Sequence, residues 1–277
     1  KRANDPRTIA ESERLKTELT QYWHDNAESP IIKQRQRLPA WAKQQELIDA
    51  VERNQVVIIA GETGCGKTTQ LPQFILDHAI WNGKGGVTNM ICTQPRRISA
   101  TSVATRVASE RGEQIGKTVG YKIRLEGSTS SSTRILFCTT GVLLRRMTED
   151  PLLSGVSHVI VDEVHERSLD SDFLLVLLRD ILPHRPTLKV VLMSATLNAL
   201  AFEEYFKDIS AVCQIPGFTY PVKEHYLEDI LQVTEYQPTP GTDYFKRAPK
   251  RRDDDASVRP ISSKNNDIPD EESFHTA

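Results

Sequence analysis

The sequence has little that would point to a metal-built scaffold, a membrane or a secreted module. Its four cysteines, Cys65, Cys92, Cys138 and Cys213, lie far apart, with no C-x-x-C pair and no histidine at metal-ligand spacing. That argues against a zinc site and against a disulfide framework. A reduced setting is therefore expected, cytoplasmic first and nuclear as the alternative. No apolar run approaches the roughly 18 to 20 residues that a membrane span requires, so no membrane partner is expected. Positive charge is not in excess either: 35 Lys and Arg face 37 Asp and Glu, a net charge of −2. The bulk signature of a strongly basic nucleic-acid binder is missing, and any polynucleotide contact has to come from local basic clusters. No internal repeat recurs at a fixed period. The chain opens on Lys1-Arg2-Ala3, without an initiator Met or a signal-peptide pattern, and reads as a piece of a longer protein.

At 277 residues the chain has room for one large α/β domain of roughly 200 residues with appendages, or for two small domains. Residues 8 to 24 begin with Thr8-x-x-Glu11, a capping-box pattern, and carry Leu15, Leu19, Tyr22 and Trp23 at near-helical spacing. An amphipathic helix is expected there, then a linker around Ser29-Pro30, so that residues 1–37 form an N-terminal helical extension. From about residue 38 the pattern predicts a helix at 40–53, a strand at 56–59, a Gly-rich loop and a helix from Lys67 to about Ile80. Apolar runs recur at 89–93, 118–124, 134–138, 158–161 and 188–193, mostly with helix-like segments between them. Strands alternating with helices imply parallel crossovers and a sheet covered on both faces, an α/β domain over 38–228. After Glu228, prolines interleave with Lys246-Arg247, Lys250-Arg251-Arg252 and Asp253-Asp254-Asp255. With few apolar residues left, 229–277 is expected to be a largely disordered charged linker.

Two segments carry the chemistry. Gly61-Glu62-Thr63-Gly64-Cys65-Gly66-Lys67-Thr68, followed by Thr69, fits the phosphate-cradling pattern G-x-x-x-x-G-K-[ST] between a strand and a helix. Glycines let consecutive backbone N–H groups turn inward on a phosphate chain, and the following helix adds the positive end of its dipole. Lys67 is expected to reach the terminal phosphates and the Thr68 hydroxyl to ligate Mg2+, while Cys65 is a tolerated variable position and no nucleophile. The second segment, Asp162-Glu163-Val164-His165, follows a short buried strand. Asp162 is expected to hold the magnesium through its hydration shell, with Glu163 as the second carboxylate of the metal set, and Glu163 to orient and deprotonate the attacking water. ATP or GTP binding follows from the first segment, and hydrolysis from the second.

Between and beyond these lie Thr93-Gln94-Pro95-Arg96-Arg97, Thr139-Thr140-Gly141, His165-Glu166-Arg167 and Ser194-Ala195-Thr196. In this order and spacing, residues 38–225 resemble the DEAH/RHA group of superfamily 2 ATP-dependent RNA helicases. The N-terminal RecA-like lobe is the part matched. Val164 makes the segment most like the DEVH branch, which includes a helicase that acts with the ribosome in translation initiation. The resemblance implies a three-layer RecA-like P-loop fold, ATP as substrate with Mg2+, and single-stranded RNA as partner. It further implies a second RecA-like lobe and, as a possible setting, a ribosomal subunit or another ribonucleoprotein. Arg96, Arg97, Thr139, Thr140 and Gly141 would grip RNA phosphates, for which guanidinium groups, hydroxyls and N–H groups at helix starts are suited. Arg106 either stacks on the nucleotide base, as in the family, or is a surface helix arginine. His165 with Ser194, Ala195 and Thr196 would link hydrolysis to movement.

The family's second lobe supplies arginine fingers from a Q-x-x-G-R-x-G-R type segment, and no such segment occurs in these 277 residues. An arginine finger is worth about 10³ to 10⁵ in rate, so the isolated chain is expected to hydrolyse slowly and not to unwind a duplex. Other readings are a transporter ATPase, a nucleotide kinase or a scaffold that keeps the fold without turnover. Leu152-Leu153-Ser154-Gly155 superficially matches a transporter signature but lacks the Gly-Gln that should follow. A kinase has no need of Ser194-Ala195-Thr196, and a scaffold has no need of intact Lys67, Asp162 and Glu163.

Overall fold

Short apolar runs that cannot be solvated on either face become, in the computed structural model, inner strands of one sheet. The structure describes residues 5–195, 199–207, 209–217 and 222–236; for 199 and 200 only the backbone is described. In chain order the strands are β1 (Val56–Gly61), β2 (Met90–Gln94), β3 (Val119–Ile123), β4 (Glu126–Ser128), β5 (Ile135–Thr139), β6 (His158–Val161), β7 (Lys189–Ser194) and β8 (Ser210–Ile215). Their order across the sheet is β4-β3-β5-β2-β6-β7-β1-β8. All neighbours pair in parallel except the β3–β4 hairpin.

Parallel pairing requires crossovers, and the helices supply them on both faces. Side chains alternate along each strand: Val57 and Ile59 face one core with α4 (Gln44–Arg53), α5 (Lys67–Trp81) and α6 (Arg97–Glu110). Val56, Ile58 and Ala60 face the other core, with α7 (Thr140–Glu149), α8 (Leu169–Ile181) and α9 (Ala199–Tyr205). The result is the three-layer α/β architecture of a RecA-like domain, as expected. Each functional segment leaves the carboxyl end of a strand, the edge where open α/β sheets bind ligands.

Several local expectations change. Helix α1 spans Pro6–Asn26 and is capped by Asp5, which accepts from the Arg7 N–H at 2.9 Å. Pro6 takes the first position, where its missing N–H costs nothing, and Thr8 lies buried inside the helix instead of capping it. The expected linker at Ser29-Pro30 is a helix start of the same kind: Ser29 accepts from Ile32 N at 3.3 Å and α2 runs over Pro30–Gln36. The helix expected at 40–53 breaks at Lys43 into α3 (Pro39–Ala42) and α4. Strands β4 and β8 were not expected. β4 is three residues long, and β8 reads Ser-Ala-Val-Cys-Gln-Ile, too mixed for a period-two signal.

The segment read as an N-terminal extension contributes Leu15 and Leu19 to the first core. Trp23 of α1, Trp41 of α3 and Phe74 of α5 form an aromatic chain with centroids 6.2 and 5.6 Å apart. Residues 222–236 make up a second unit with the helix α10 (Leu227–Thr234), so the first residues expected in the disordered linker are helical. The remainder of that linker, from 237 on, lies outside the described residues.

Candidate functional site

β1 delivers Gly61 to the sheet edge, and the chain returns into α5 through a left-handed glycine. Gly64 and Gly66 hold φ of +84° and +94°, which L side chains rarely adopt. Gly61 needs to be glycine for another reason: a Cβ there would meet Cys65 Sγ at 3.0 Å and Ile215 Cβ at 3.1 Å. Cys65 is fully buried in the core beneath the loop, in keeping with a packing residue and not a nucleophile. Glu62 and Thr63 are exposed. Lys67, the first residue of α5, is 3 % exposed, and its Nζ donates to the carbonyl oxygens of Gly61 at 2.9 Å and Glu62 at 3.4 Å. An ammonium held on its own loop is placed beside any anion that the loop cradles. Thr69 donates to Gly66 O at 3.4 Å and fixes the first turn.

β6 lies two strands away from β1 and brings Asp162 to the same place. The Asp162 Oδ2 accepts from Thr68 Oγ1 and from Gln94 Nε2, both at 2.7 Å, and its Oδ1 accepts from Glu163 N at 2.9 Å. Burial raises the pKa of this carboxyl against those hydrogen bonds. Burial, and then the neighbouring charge of Asp162, raises that of Glu163 as well. Glu163 and Arg167 sit at φ +54° and +49° around a short 3-10 turn at Val164–Glu166, uncommon positions for side-chain-bearing residues that cluster at functional sites.

Among the described residues, no group of three or more His, Cys, Asp or Glu is placed to hold a metal alone. Magnesium bound with a nucleotide needs fewer protein oxygens, because phosphates and water complete its shell. The adjoining Thr68 hydroxyl and buried Asp162 carboxylate fit that demand. Gln94, given no role of its own in the sequence, has its side chain on Asp162. Its position as the last residue of β2, beside β6, was the available signal.

His165 Nδ1 accepts from the Ala195 N–H at 3.2 Å and lies 3.3 Å from Glu163 Oε2. One nitrogen cannot be acceptor and donor at once, so it satisfies the amide when unprotonated and the carboxylate when protonated. Ser194, at the end of β7, is fully buried. Thr196 lies outside the described residues.

Arg96, Arg97, Thr139, Thr140 and Gly141 line a single open groove beside this site. Arg97 begins α6, and Thr139 stands at the N-cap position of α7 without a capping side-chain hydrogen bond, so both junctions present helix N-termini. Arg96 is 74 % exposed and pairs with Glu166 at 3.1 Å; Thr140 is buried. Four cations that the sequence did not single out share the groove: Lys122, Arg124, Arg145 and Arg146. Leaving aside Arg134, whose head is tied to Glu11 at 2.7 Å, six cations face Glu149, Glu166 and Asp170. The chain as a whole is mildly acidic, but this groove is not. Arg106 lies elsewhere, on α6, where it donates to Glu110 Oε1 at 2.8 Å and Gln34 Oε1 at 3.2 Å.

A parallel sheet with a phosphate loop after β1, and paired acids after β6 that reach the loop's threonine, defines a P-loop nucleotide-binding lobe of the RecA type. The model of the family described as DEAD/DEAH box helicase matches residues 41–204, and the chain belongs to that family. It is 57 % identical over 220 residues to the DExH-box ATP-dependent RNA helicase DExH3 of Arabidopsis thaliana, which covers 79 % of this chain and 18 % of that protein. It is 56 % identical over 216 residues to the Putative ATP-dependent RNA helicase DHX57 of Homo sapiens, 78 % of this chain and 16 % of that protein. With the ATP-dependent DNA/RNA helicase DHX36 of Homo sapiens the identity is 51 % over 207 residues, 74 % of this chain and 20 % of that protein. The chain thus spans a fifth or less of the length of these relatives. No helix among the described residues is long and apolar enough to cross a membrane.

Proposed function

We propose that this chain is the ATP-binding lobe of an ATP-dependent RNA helicase, holding magnesium ATP at one end of the sheet edge and single-stranded RNA along the groove beside it. The observation that carries the reading is Asp162, which joins Thr68 of the phosphate loop to Gln94 of the strand that leads to Arg96. Lys67 exchanges its loop carbonyls for the terminal phosphates. Thr68 and Asp162, with Glu163 as the second carboxylate, would hold the metal, which when bound would supply charge neutralisation at the phosphates. Glu163, whose pKa is raised by burial and by the charge of Asp162, orients the attacking water and takes its proton. His165 stands between that carboxylate and the Ala195 amide, so a change at Glu163 alters the hold on the end of β7. Arg106 stacks on the base, and Arg96, Arg97, Thr139 and the N–H groups beginning α7 take RNA phosphates. No arginine finger segment occurs in this sequence, so the lobe alone binds nucleotide weakly and does not unwind. A ribosomal subunit or another cytoplasmic ribonucleoprotein is the setting we assign to the complete protein.

The test is Glu163→Gln in the complete protein, assayed for ATP turnover with and without single-stranded RNA and with ribosomal subunits. ATP binding persists while turnover drops by about 10² to 10⁴, the usual worth of a general base. Unchanged RNA-stimulated turnover would reject the reading. A robust RNA-stimulated rate from the isolated 277-residue chain would reject the need for a second lobe.

A further inference from the structure

Arg106, proposed to stack on the base, is tied to the N-terminal segment by side chains to which the proposed mechanism gives no role. Glu110, at the end of α6, is 2 % exposed. Its Oε1 accepts from Arg106 Nε, and its Oε2 accepts from Gln70 Nε2 at 2.9 Å and Gln73 Nε2 at 2.8 Å, both on α5. Gln70 also donates to Thr69 Oγ1 at 2.9 Å, one residue beyond the magnesium threonine. On its outer side the Arg106 guanidinium is held by Gln34 of α2. The next residue of that helix, Arg35, is buried and donates to Gln70 Oε1 at 2.9 Å. Further along, Ala40 N donates to Cys65 O at 3.0 Å, and Leu38 is the side chain that a Cβ on Gly66 would meet at 3.0 Å.

A half-exposed arginine on a helix surface samples several rotamers, and a flat base gains from stacking only when the guanidinium plane is held for it. Glu110 fixes Nε from beneath and Gln34 fixes one terminal nitrogen from the side. Two acceptors in different directions define a plane. We propose that Gln34 and Glu110 are positioning residues for the nucleotide base, acting through Arg106, and that α2 is part of the nucleotide site. The inference rests on the reading of Arg106 as the base-stacking residue. It adds that the base's grip depends on residues that precede the matched helicase model, which begins at residue 41.

Gln34 is exposed and caps no helix, so its replacement leaves the fold intact. Binding of magnesium ADP and of magnesium tripolyphosphate, which has phosphates but no base, is measured on the 277-residue chain carrying Gln34→Ala, Gln34→Glu, Arg106→Ala or Gln34→Ala with Arg106→Ala. Gln34→Ala weakens ADP about three- to tenfold, the loss expected of one hydrogen bond, and leaves tripolyphosphate unchanged. Gln34→Glu, which keeps an acceptor against Arg106, restores ADP binding. The double variant is no weaker than Arg106→Ala alone, because the two residues act in series. Equal losses of ADP and tripolyphosphate in Gln34→Ala would make α2 a mere brace for the loop and overturn the proposal. So would an unchanged Gln34→Ala beside a weakened Arg106→Ala. ADP binding unaffected by Arg106→Ala would instead remove the base-stacking reading on which the proposal stands.

Discussion

Replacing Glu110 with Leu tests whether the network that joins α2, α5 and α6 holds the lobe together through charge. The Glu110 carboxylate and the Arg35 guanidinium are both almost fully buried, 2 and 1 % exposed, with Arg35 Nε 3.6 Å from Glu110 Oε2. The guanidinium lies 5.7 and 5.4 Å from the ring centroids of Trp23 and Trp41. Burial is the largest influence on Arg35 and lowers its pKa, with Asp77 and then Glu110 opposing it. Leaving one member of a buried pair uncompensated costs about 3 to 5 kcal/mol. Asp77 remains near Arg35 in the variant, and Gln73 keeps a second acceptor in Thr69 O at 2.9 Å, so the low end applies. About 3 kcal/mol corresponds to a fall in Tm of about 6 to 12 °C for a chain of this size.

The companion change is Arg35→Met, whose flexible thioether fits between two indoles. Alone it leaves Glu110 buried with three neutral or half-exposed donors and costs a similar amount. Together the changes remove both charges, and the loss falls well short of the sum, since replacing a whole buried pair with apolar groups is often near neutral. Thermal melting of the wild type, the two single variants and the double gives the coupling directly. Single losses that add within about 0.5 kcal/mol would show that a separation of 3.6 Å is too long for the two groups to act as a pair, and the reasoning would fail.

Two further perturbations have determined signs. His158 is buried at the start of β6, and burial, aided by the charge of Lys189, pushes its pKa down to about 4. The unfolded chain takes up a proton near pH 6.5, so stability from the neutral imidazole is present above that and lost as pH falls towards 4. The loss is about 3 kcal/mol. His158→Gln should flatten the fall in Tm between pH 7 and 4.5, and a parallel fall in both proteins would refute this. Gly66→Ala places a Cβ at φ +94° and 3.0 Å from Leu38 Cδ1; stability drops by about 1 to 2 kcal/mol and tripolyphosphate binding by at least about tenfold. Unimpaired binding, measured by titration calorimetry, would show that the loop tolerates the strain.

The strands and most functional segments were legible because each reports a local rule. A run such as Val-Val-Ile-Ile between polar ends is a buried strand in any context, and a Gly-x-x-x-x-Gly-Lys-Thr loop after it states its own geometry. Residues that act across sequence gaps were not legible. Gln94 meets Asp162 only because β2 and β6 are neighbours, and nothing in the order of strands along the chain states that adjacency. Arg145 and Arg146 join the groove through the placement of α7, while Lys122 and Arg124 reach it from the β3–β4 hairpin, an element too short to announce itself. Ser29-Pro30 was misread because a serine followed by proline marks both a loop and a helix start, and only Ile32 packing behind it decides.

The strand order also explains why so few residues suffice to connect nucleotide and RNA in the proposed mechanism. β6 is flanked by β2, which leads to Arg96, and by β7, which leads to Ala195. Within five residues after β6, Asp162 contacts the phosphate-loop threonine, Glu163 and Ala195 share His165 Nδ1, and Glu166 pairs with Arg96. The Arg96–Glu166 pair is exposed and therefore worth no more than about 1 kcal/mol, whereas an RNA phosphate offers Arg96 a bidentate partner. In the proposed mechanism RNA would therefore displace Glu166 at little expense, at the 3-10 turn that follows Glu163. That turn is held at left-handed φ at both Glu163 and Arg167, so in the proposed mechanism a change in it would reach both ligands. This short path needs no distant relay, because parallel strands end side by side.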